Sequence, residues 1–174
     1  MKNFLAGYIL LLLVSTAASA QQNTPACACC SEKFRQFDFW VGDWETFVGA
    51  KKDTLTGTNH IVLMENKCVI QENWKSARGA YTGTSYNFYN PQTDKWHQTW
   101  VDNQGGSLLL SGNLEDGKMV LWSDPMKTRN GQTYRNRITW TPNPDGSVRQ
   151  HWEVTYDDGK SWTTLFDGLY RRKP

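Results

Sequence analysis

The sequence predicts an all-β fold: a single antiparallel up-and-down β-barrel of about ten strands, with a short N-terminal helix closing one end. Three observations carry this. From Trp44 onward, polar and apolar residues alternate with a period of two, the spacing of strands that bury one face. Turn-forming clusters interrupt the alternation every eight to twelve residues. Nothing between the clusters reads as a crossover helix, so neighbouring strands pair as antiparallel hairpins. Strands joined in this way close most simply into a barrel, which removes unpaired edges; a two-sheet sandwich is the alternative.

In chain order, residues 1–20 have the make-up of a secretory signal peptide. Lys2 supplies the positive start, Ile9 to Val14 the apolar middle, and Ala18-Ser19-Ala20 the small-residue cleavage site. The apolar run is shorter than the roughly 20 residues that span a bilayer, and no later segment qualifies, so no membrane span is predicted. Thr24-Pro25-Ala26 ahead of Cys27 is a poor match to a lipoprotein signal. The chain is therefore expected to be exported, to the periplasm or the cell exterior. Cleavage leaves 154 of 174 residues, the size of one domain, and lowers the formal charge from +2 to +1. That charge gives no footprint for nucleic acid.

Residues 21–31 read as a linker that carries Cys27, Cys29 and Cys30, and residues 32–174 as the barrel. An oxidising compartment favours one disulfide from this cluster to Cys68, which would pin the tail to the barrel. Cys30, nearest the folded domain, is the expected partner of Cys68. Cys27-Ala28-Cys29-Cys30 offers too few ligands for a tetrahedral site, and no metal site is predicted.

Ser31 is placed to cap a short helix over Glu32 to Phe39, with Glu32 in its first turn and Phe34, Phe37 and Phe39 making it sticky. Strands are read at about 43–50, 56–64, 68–76, 80–89, 95–102, 106–113, 118–124, 133–141, 147–156 and 162–171. Clusters such as Asn90-Pro91-Gln92-Thr93-Asp94, Asn103-Gln104-Gly105-Gly106 and Pro144-Asp145-Gly146 punctuate them. Thr155-x-Asp157-x-Gly159-x-Ser161-Trp162 resembles the Asp-box of sialidases, a hairpin turn in which the Asp fixes backbone amides, and is read as a turn only.

Candidate site residues come from strands that mix tryptophan with polar side chains on one face. Trp96, Gln98, Trp100 and Asp102 share a face, as do Glu72 and Trp74, and Gln150 and Trp152. A dry core would carry Val, Ile and Leu there. Large aromatics beside amides and carboxylates are the make-up of a ligand cavity, with apolar walls and a few placed polar groups. Solvent-suited Lys95, His97 and Thr99, and Arg149, His151 and Glu153, turn these faces inward. Trp162, Thr164, Phe166 and Tyr170 are placed inward on the last strand. The strands at 80–89 and 133–141 are ambiguous; Tyr86 and Arg137 are placed among the ligand-binding candidates, Arg137 as a partner that would balance Glu72. Each inward polar residue also has a plainer reading, as part of a satisfied hydrogen-bond network or, for Asp102, as a turn cap.

The Phe37-Asp38-Phe39-Trp40-Val41-Gly42-Asp43-Trp44 stretch, a short helix running into Gly-x-Trp, resembles the opening of lipocalins and their calycin relatives. The resemblance implies that Trp44 closes the barrel base under a basic side chain from the last strand. That side chain would come from the Arg171-Arg172 pair, with Arg171 assigned to the role, and Gly42 would allow the close approach. With Glu72-Asn73-Trp74, Trp96-x-Gln98-x-Trp100-x-Asp102, Trp140, Gln150-x-Trp152 and Phe166-Asp167-Gly168-x-Tyr170, the pattern resembles a family of secreted bacterial lipocalin-like proteins over almost the whole mature chain. Lipocalins usually have eight strands and a later helix. Ten strands without that helix point to ten-stranded calycins such as fatty-acid-binding proteins and nitrobindins.

The leading functional expectation is an exported binding barrel that holds a small apolar or aromatic molecule against Trp74, Trp100 and Trp152, with Gln98, Gln150 and Glu72 orienting its polar end. No cofactor is predicted. The second is an enzyme on the same barrel, in which Glu72 or Asp102 has a pKa raised by apolar surroundings and serves as general acid or base. No Gly-x-Ser-x-Gly, His-Glu-x-x-His or phosphate loop supports it, so binding is favoured. A third is a nitrobindin-like haem barrel, which needs an axial ligand from His60, His97 or His151. A partner-binding role carried by loops such as Ser123 to Gln132 is the fourth.

Overall fold

Eleven antiparallel strands surround a single interior in the computed structural model, which describes residues 27–174. The expected signal peptide at 1–20 and the first part of the expected linker lie outside the described residues. The strands are β1 (Gly42–Val48), β2 (Thr54–Met64), β3 (Val69–Ser76), β4 (Thr82–Asn90), β5 (Lys95–Asp102), β6 (Ser107–Glu115), β7 (Lys118–Trp122), β8 (Met126–Lys127), β9 (Thr133–Pro142), β10 (Val148–Thr155) and β11 (Thr163–Arg172). Each of β1 to β6 pairs with the next; β7 then pairs with β9, β9 with β10, β10 with β11, and β11 with β1. Ten strands thus close a calycin-like barrel, and β8 is an eleventh, two-residue strand on the outer reach of β9. All ten expected strand positions are occupied. The strand β8 was not anticipated, because two residues cannot show a period.

The expected helix is divided. The chain forms a four-residue helix α1 (Glu32–Arg35) and then a 3-10 turn (Asp38–Trp40), and the Ser31 side chain makes no cap bond. The division serves packing. It drops Phe37 and Trp40, both fully buried, into the end of the barrel. Phe37 stacks on Trp40 at 5.0 Å and meets Trp96 and Trp140 edge-on at 5.7 and 5.2 Å. Trp44, also fully buried, donates its Nε1 hydrogen to the Trp40 carbonyl at 2.8 Å.

Above Trp44 lies the Arg172 guanidinium, 4.3 Å from the ring, which also donates to the Val41 carbonyl at 3.2 Å. Arg171 does not take this place; it packs on Phe47 at 4.7 Å. Register decides between them, because Trp44 pairs directly with Arg172 and so shares its face, whereas Arg171 pairs with Glu45. Gly42 has a φ of +146°, and a Cβ there would stand 2.1 Å from the Arg172 guanidinium, so only glycine fits.

The disulfides are Cys29–Cys68 and Cys27–Cys30, which corrects the expected Cys30–Cys68 pair. A tail cysteine does pin the segment to Cys68, but it is Cys29, which is only 6% exposed and turned toward the barrel. A tight turn closed by the Cys30 amide on the Cys27 carbonyl brings the other two together. Removing the Cys29–Cys68 bridge by paired serine substitutions is expected to lower stability by about 2 kcal/mol, at the low end for a bridge of this kind, because Phe37 and Trp40 already anchor the segment. Paired serines at Cys27 and Cys30, which close a far smaller loop, should cost clearly less in urea denaturation.

On β11, Phe166, Gly168 and Tyr170 face the interior, but Thr164, and Trp162 just ahead of the strand, do not. A bulge where Trp152-Glu153 meets Phe166 and Thr164 inserts Leu165 and reverses the alternation. Trp162 therefore packs outside, on Trp122 and Arg137. Asp157 closes the turn before β11 by accepting from the Ser161 amide and hydroxyl, as the Asp-box resemblance implied.

Candidate functional site

Above the aromatic plug the barrel interior turns polar. Thr46 of β1, Asn59 of β2, Glu72 of β3, Ser85 and Asn87 of β4 and Gln98 of β5 are all buried and form a belt across five neighbouring strands. Beyond the belt opens a cavity of about 610 Å³, a volume suited to one small organic molecule. Its walls include Trp74, Trp100, Trp152, Phe166, Leu108 and Ile138; its polar lining includes Glu72, Gln98, Gln150 and Asn136. Two aromatic walls depend on glycines of neighbouring strands. A Cβ at Gly83 would meet the Trp100 ring at 2.1 Å, and one at Gly57 the Trp74 ring at 2.5 Å. Those absent side chains let both indoles lie back against the sheet and keep the cavity open.

Hydrogen bonds in the belt run toward Glu72. Gln98 Nε2 donates to Asn87 Oδ1 at 2.9 Å, Asn87 Nδ2 to Ser85 Oγ at 2.9 Å, and Ser85 Oγ to Glu72 Oε2 at 2.6 Å. Asn59 Nδ2 donates to Glu72 Oε1 at 2.7 Å. Both donors to the carboxyl are neutral, and no cation among the described residues reaches it. Burial raises the Glu72 pKa from 4.5 to about 7, opposed only in part by the Ser85 and Asn59 hydrogen bonds. Near pH 7 the group is thus poised between carboxylate and carboxylic acid. Beside it, Tyr170 donates to Gln150 Oε1, and burial with the nearby Glu72 charge pushes the phenol well above its ordinary range.

Asp102 behaves differently. One of its oxygens accepts from the Gln104 and Gly106 amides at 2.9 and 2.8 Å, and the other from the Tyr81 hydroxyl at 3.2 Å. The backbone amides hold its pKa below the ordinary value, so the raised pKa expected of a general acid at Asp102 is overturned. It caps a turn at the cavity rim. Trp152 is oriented by donating to Asn136 Oδ1 at 2.8 Å.

Among the candidates, Glu72, Trp74, Gln98, Trp100, Gln150, Trp152 and Asp102 all line the cavity. Tyr86 and Arg137 do not. Tyr86 is 44% exposed on the outer wall, because Ser85 and Asn87 occupy the inward positions of β4. Arg137 points outward because Asn136, Ile138 and Trp140 are the inward residues of β9. It bonds Glu153 at 2.8 Å and lies 3.9 Å over the Trp162 ring. The charge on Glu72 therefore has no counterpart from Arg137.

The histidines also stay outside. His60 meets Asp43 at 2.6 Å, His97 stacks on Phe88 at 5.4 Å, and His151 meets the Thr164 hydroxyl at 3.0 Å. None lines the cavity, so a histidine-ligated haem has no axial ligand there. The segment Ser123 to Gln132 contains β8 and gives Met126 to the cavity wall. No described helix is long and apolar enough to cross a membrane, and no cluster of three or more potential metal ligands occurs among the described residues.

Sequence reasoning missed Asn59, Ser85 and Asn87. Ser85-x-Asn87 interleaves with Tyr86 and Phe88, and the aromatic set looked the better core. Its hidden signal was the neighbour: Glu72 pairs with Ser85, and Gln98 with Asn87, so a polar inner face on β3 and β5 called for one on β4. Fold and cavity together define a closed antiparallel β-barrel with a buried aromatic cluster and an interior suited to a ligand. No protein-family model matches the chain, and no curated protein does.

Proposed function

We propose that the protein is an exported, lipocalin-like barrel that binds a small molecule with a flat apolar or aromatic body. The observation that carries this reading is the cavity of about 610 Å³ walled by Trp74, Trp100 and Trp152, with the Glu72 belt at its inner end. The tryptophan faces take the body, and Gln98, Gln150 and Glu72 orient the polar end. Two disulfides support export, since such bonds persist in oxidising compartments. Binding is favoured over catalysis because Glu72 is accompanied by amides and indoles. The one hydroxyl bonded to its carboxylate, that of Ser85, is buried behind it and does not line the cavity.

The test is a titration with a panel of flat apolar compounds, read by intrinsic fluorescence and thermal unfolding. Three of the nine tryptophans line the cavity, so a stacked ligand should quench emission by up to about a third. At one hundred times its Kd it should also stabilise the fold by about 2.7 kcal/mol. Absence of both responses across the panel would refute the reading.

A further inference from the structure

We infer that the cavity selects a cationic ligand, a flat apolar or aromatic molecule bearing one protonated amine, with the ammonium group against Glu72 and the body among Trp74, Trp100 and Trp152. This rests on the binding reading above and names its ligand class. The first argument is charge. Glu72 at the inner end and Asp102 at the rim both line the cavity, whereas no Lys, Arg or His does so among the described residues. A ligand carboxylate would bring a further negative charge into this space with nothing to neutralise it.

The second argument is the unfinished state of Glu72. A carboxylate has about four acceptor positions, and the protein fills two of them, each from a neutral donor. No cation among the described residues pairs with that charge, and burial pushes the pKa of the group up to about 7. An ammonium group brings the missing charge and up to three donors. A further acceptor waits nearby: the Gln98 nitrogen is committed to Asn87 and Ser85, while its oxygen takes no hydrogen bond from the described residues.

The third argument is the walls. Indole faces attract cations through their quadrupole, more strongly where water is excluded. The same three rings that accommodate a flat body therefore also favour a positive group over an equally sized neutral one. An aromatic box around one unpaired carboxylate discriminates by charge sign; an apolar pocket alone does not.

Calorimetric titration of three probes with the same ring system tests this: 2-naphthylmethylamine, neutral 2-naphthylmethanol and anionic 2-naphthoate, at about pH 8, where Glu72 is ionised. The amine should bind at least about tenfold tighter than the alcohol, with the naphthoate weakest. In Glu72→Gln the amine should lose its advantage over the alcohol. Should that variant not fold, the three-way comparison on the wild-type protein still decides. An alcohol or naphthoate that binds as tightly as the amine, or an amine preference that survives Glu72→Gln, overturns the charge selection and leaves the binding reading standing. Failure of all three at about millimolar concentration, far above the range of specific binding, overturns both for flat aromatic ligands.

Discussion

Replacing Trp44 with alanine is expected to destabilise the barrel by about 4 kcal/mol, the largest stability effect of any cavity or plug tryptophan. Trp44 is fully buried and ties three structures together. Its ring packs against Tyr170 at 6.3 Å, its Nε1 hydrogen satisfies the Trp40 carbonyl, and its face carries the Arg172 guanidinium. Truncation opens a cavity where the chain enters the barrel, orphans a buried carbonyl and strips Arg172 of its platform. Trp44→Phe keeps most of the packing and the cation–π contact, so about half the loss should return. Trp100→Ala provides the contrast. That ring is only partly buried against the cavity, and its removal should cost about 1 kcal/mol of stability while weakening ligand binding strongly. Urea denaturation measures both, and a Trp44→Ala loss no greater than that of Trp100→Ala would show that the plug does not hold the base.

The period of two made the strands legible because a barrel imposes one inside and one outside on every strand. Trp96, Gln98 and Trp100 could not share a face any other way. Turn chemistry supplied the boundaries. What the pattern could not show was any feature set by partners distant in the chain. The choice of Arg172 over Arg171 depends on the register of β1 against β11, which a one-residue slip would reverse, and the choice of Cys29 over Cys30 on which sulfur faces the barrel. The β11 bulge at Leu165 breaks the alternation within the strand, so face assignment by counting fails on its first half.

The candidate site was legible in proportion to contrast. Glu72, Gln98 and Gln150 stand out because amides and a carboxylate sit next to tryptophans on faces that their solvent-suited neighbours mark as inner. On β4 and β9 the faces are mixed and stayed ambiguous: on β4 the aromatic Tyr86 and Phe88 cover the outer wall while Ser85 and Asn87 complete the belt, and on β9 Ile138 and Trp140 face inward and leave Arg137 outside. Arg137 was attractive as a counter-charge for Glu72, yet its guanidinium finds Glu153 and two indole faces outside. The same error hid a functional fact, because no Lys, Arg or His among the described residues shares the cavity with Glu72.

That isolation has a measurable consequence for stability. Between 4.5, the ordinary glutamate value, and about 7, its value in the fold, Glu72 holds its proton in the native state and has lost it in the unfolded chain. The native state then binds more protons, so stability falls as pH rises through this window. The contribution is fully present below about pH 4.5 and lost above about pH 7, and at roughly 1.4 kcal/mol per pKa unit it amounts to about 3 kcal/mol. Asp157 and Asp167, held to about 2 by hydrogen bonds from Ser161 and Arg149, act in the opposite sense at lower pH. Their contribution is present above the ordinary carboxylate value and is lost as pH falls toward 2. Stability should therefore peak near pH 5 and decline toward pH 8. Glu72→Gln removes the alkaline decline. Its amide can keep the Ser85 bond, and Asn59, whose Oδ1 is buried without a partner, can turn to accept from the new amide nitrogen. Urea denaturation of both proteins at pH 5 and pH 8 measures the difference. A variant as pH-sensitive as wild type would mean that Glu72 ionises in the barrel as easily as in water, and an uncompensated charge at the inner end of the cavity would no longer stand.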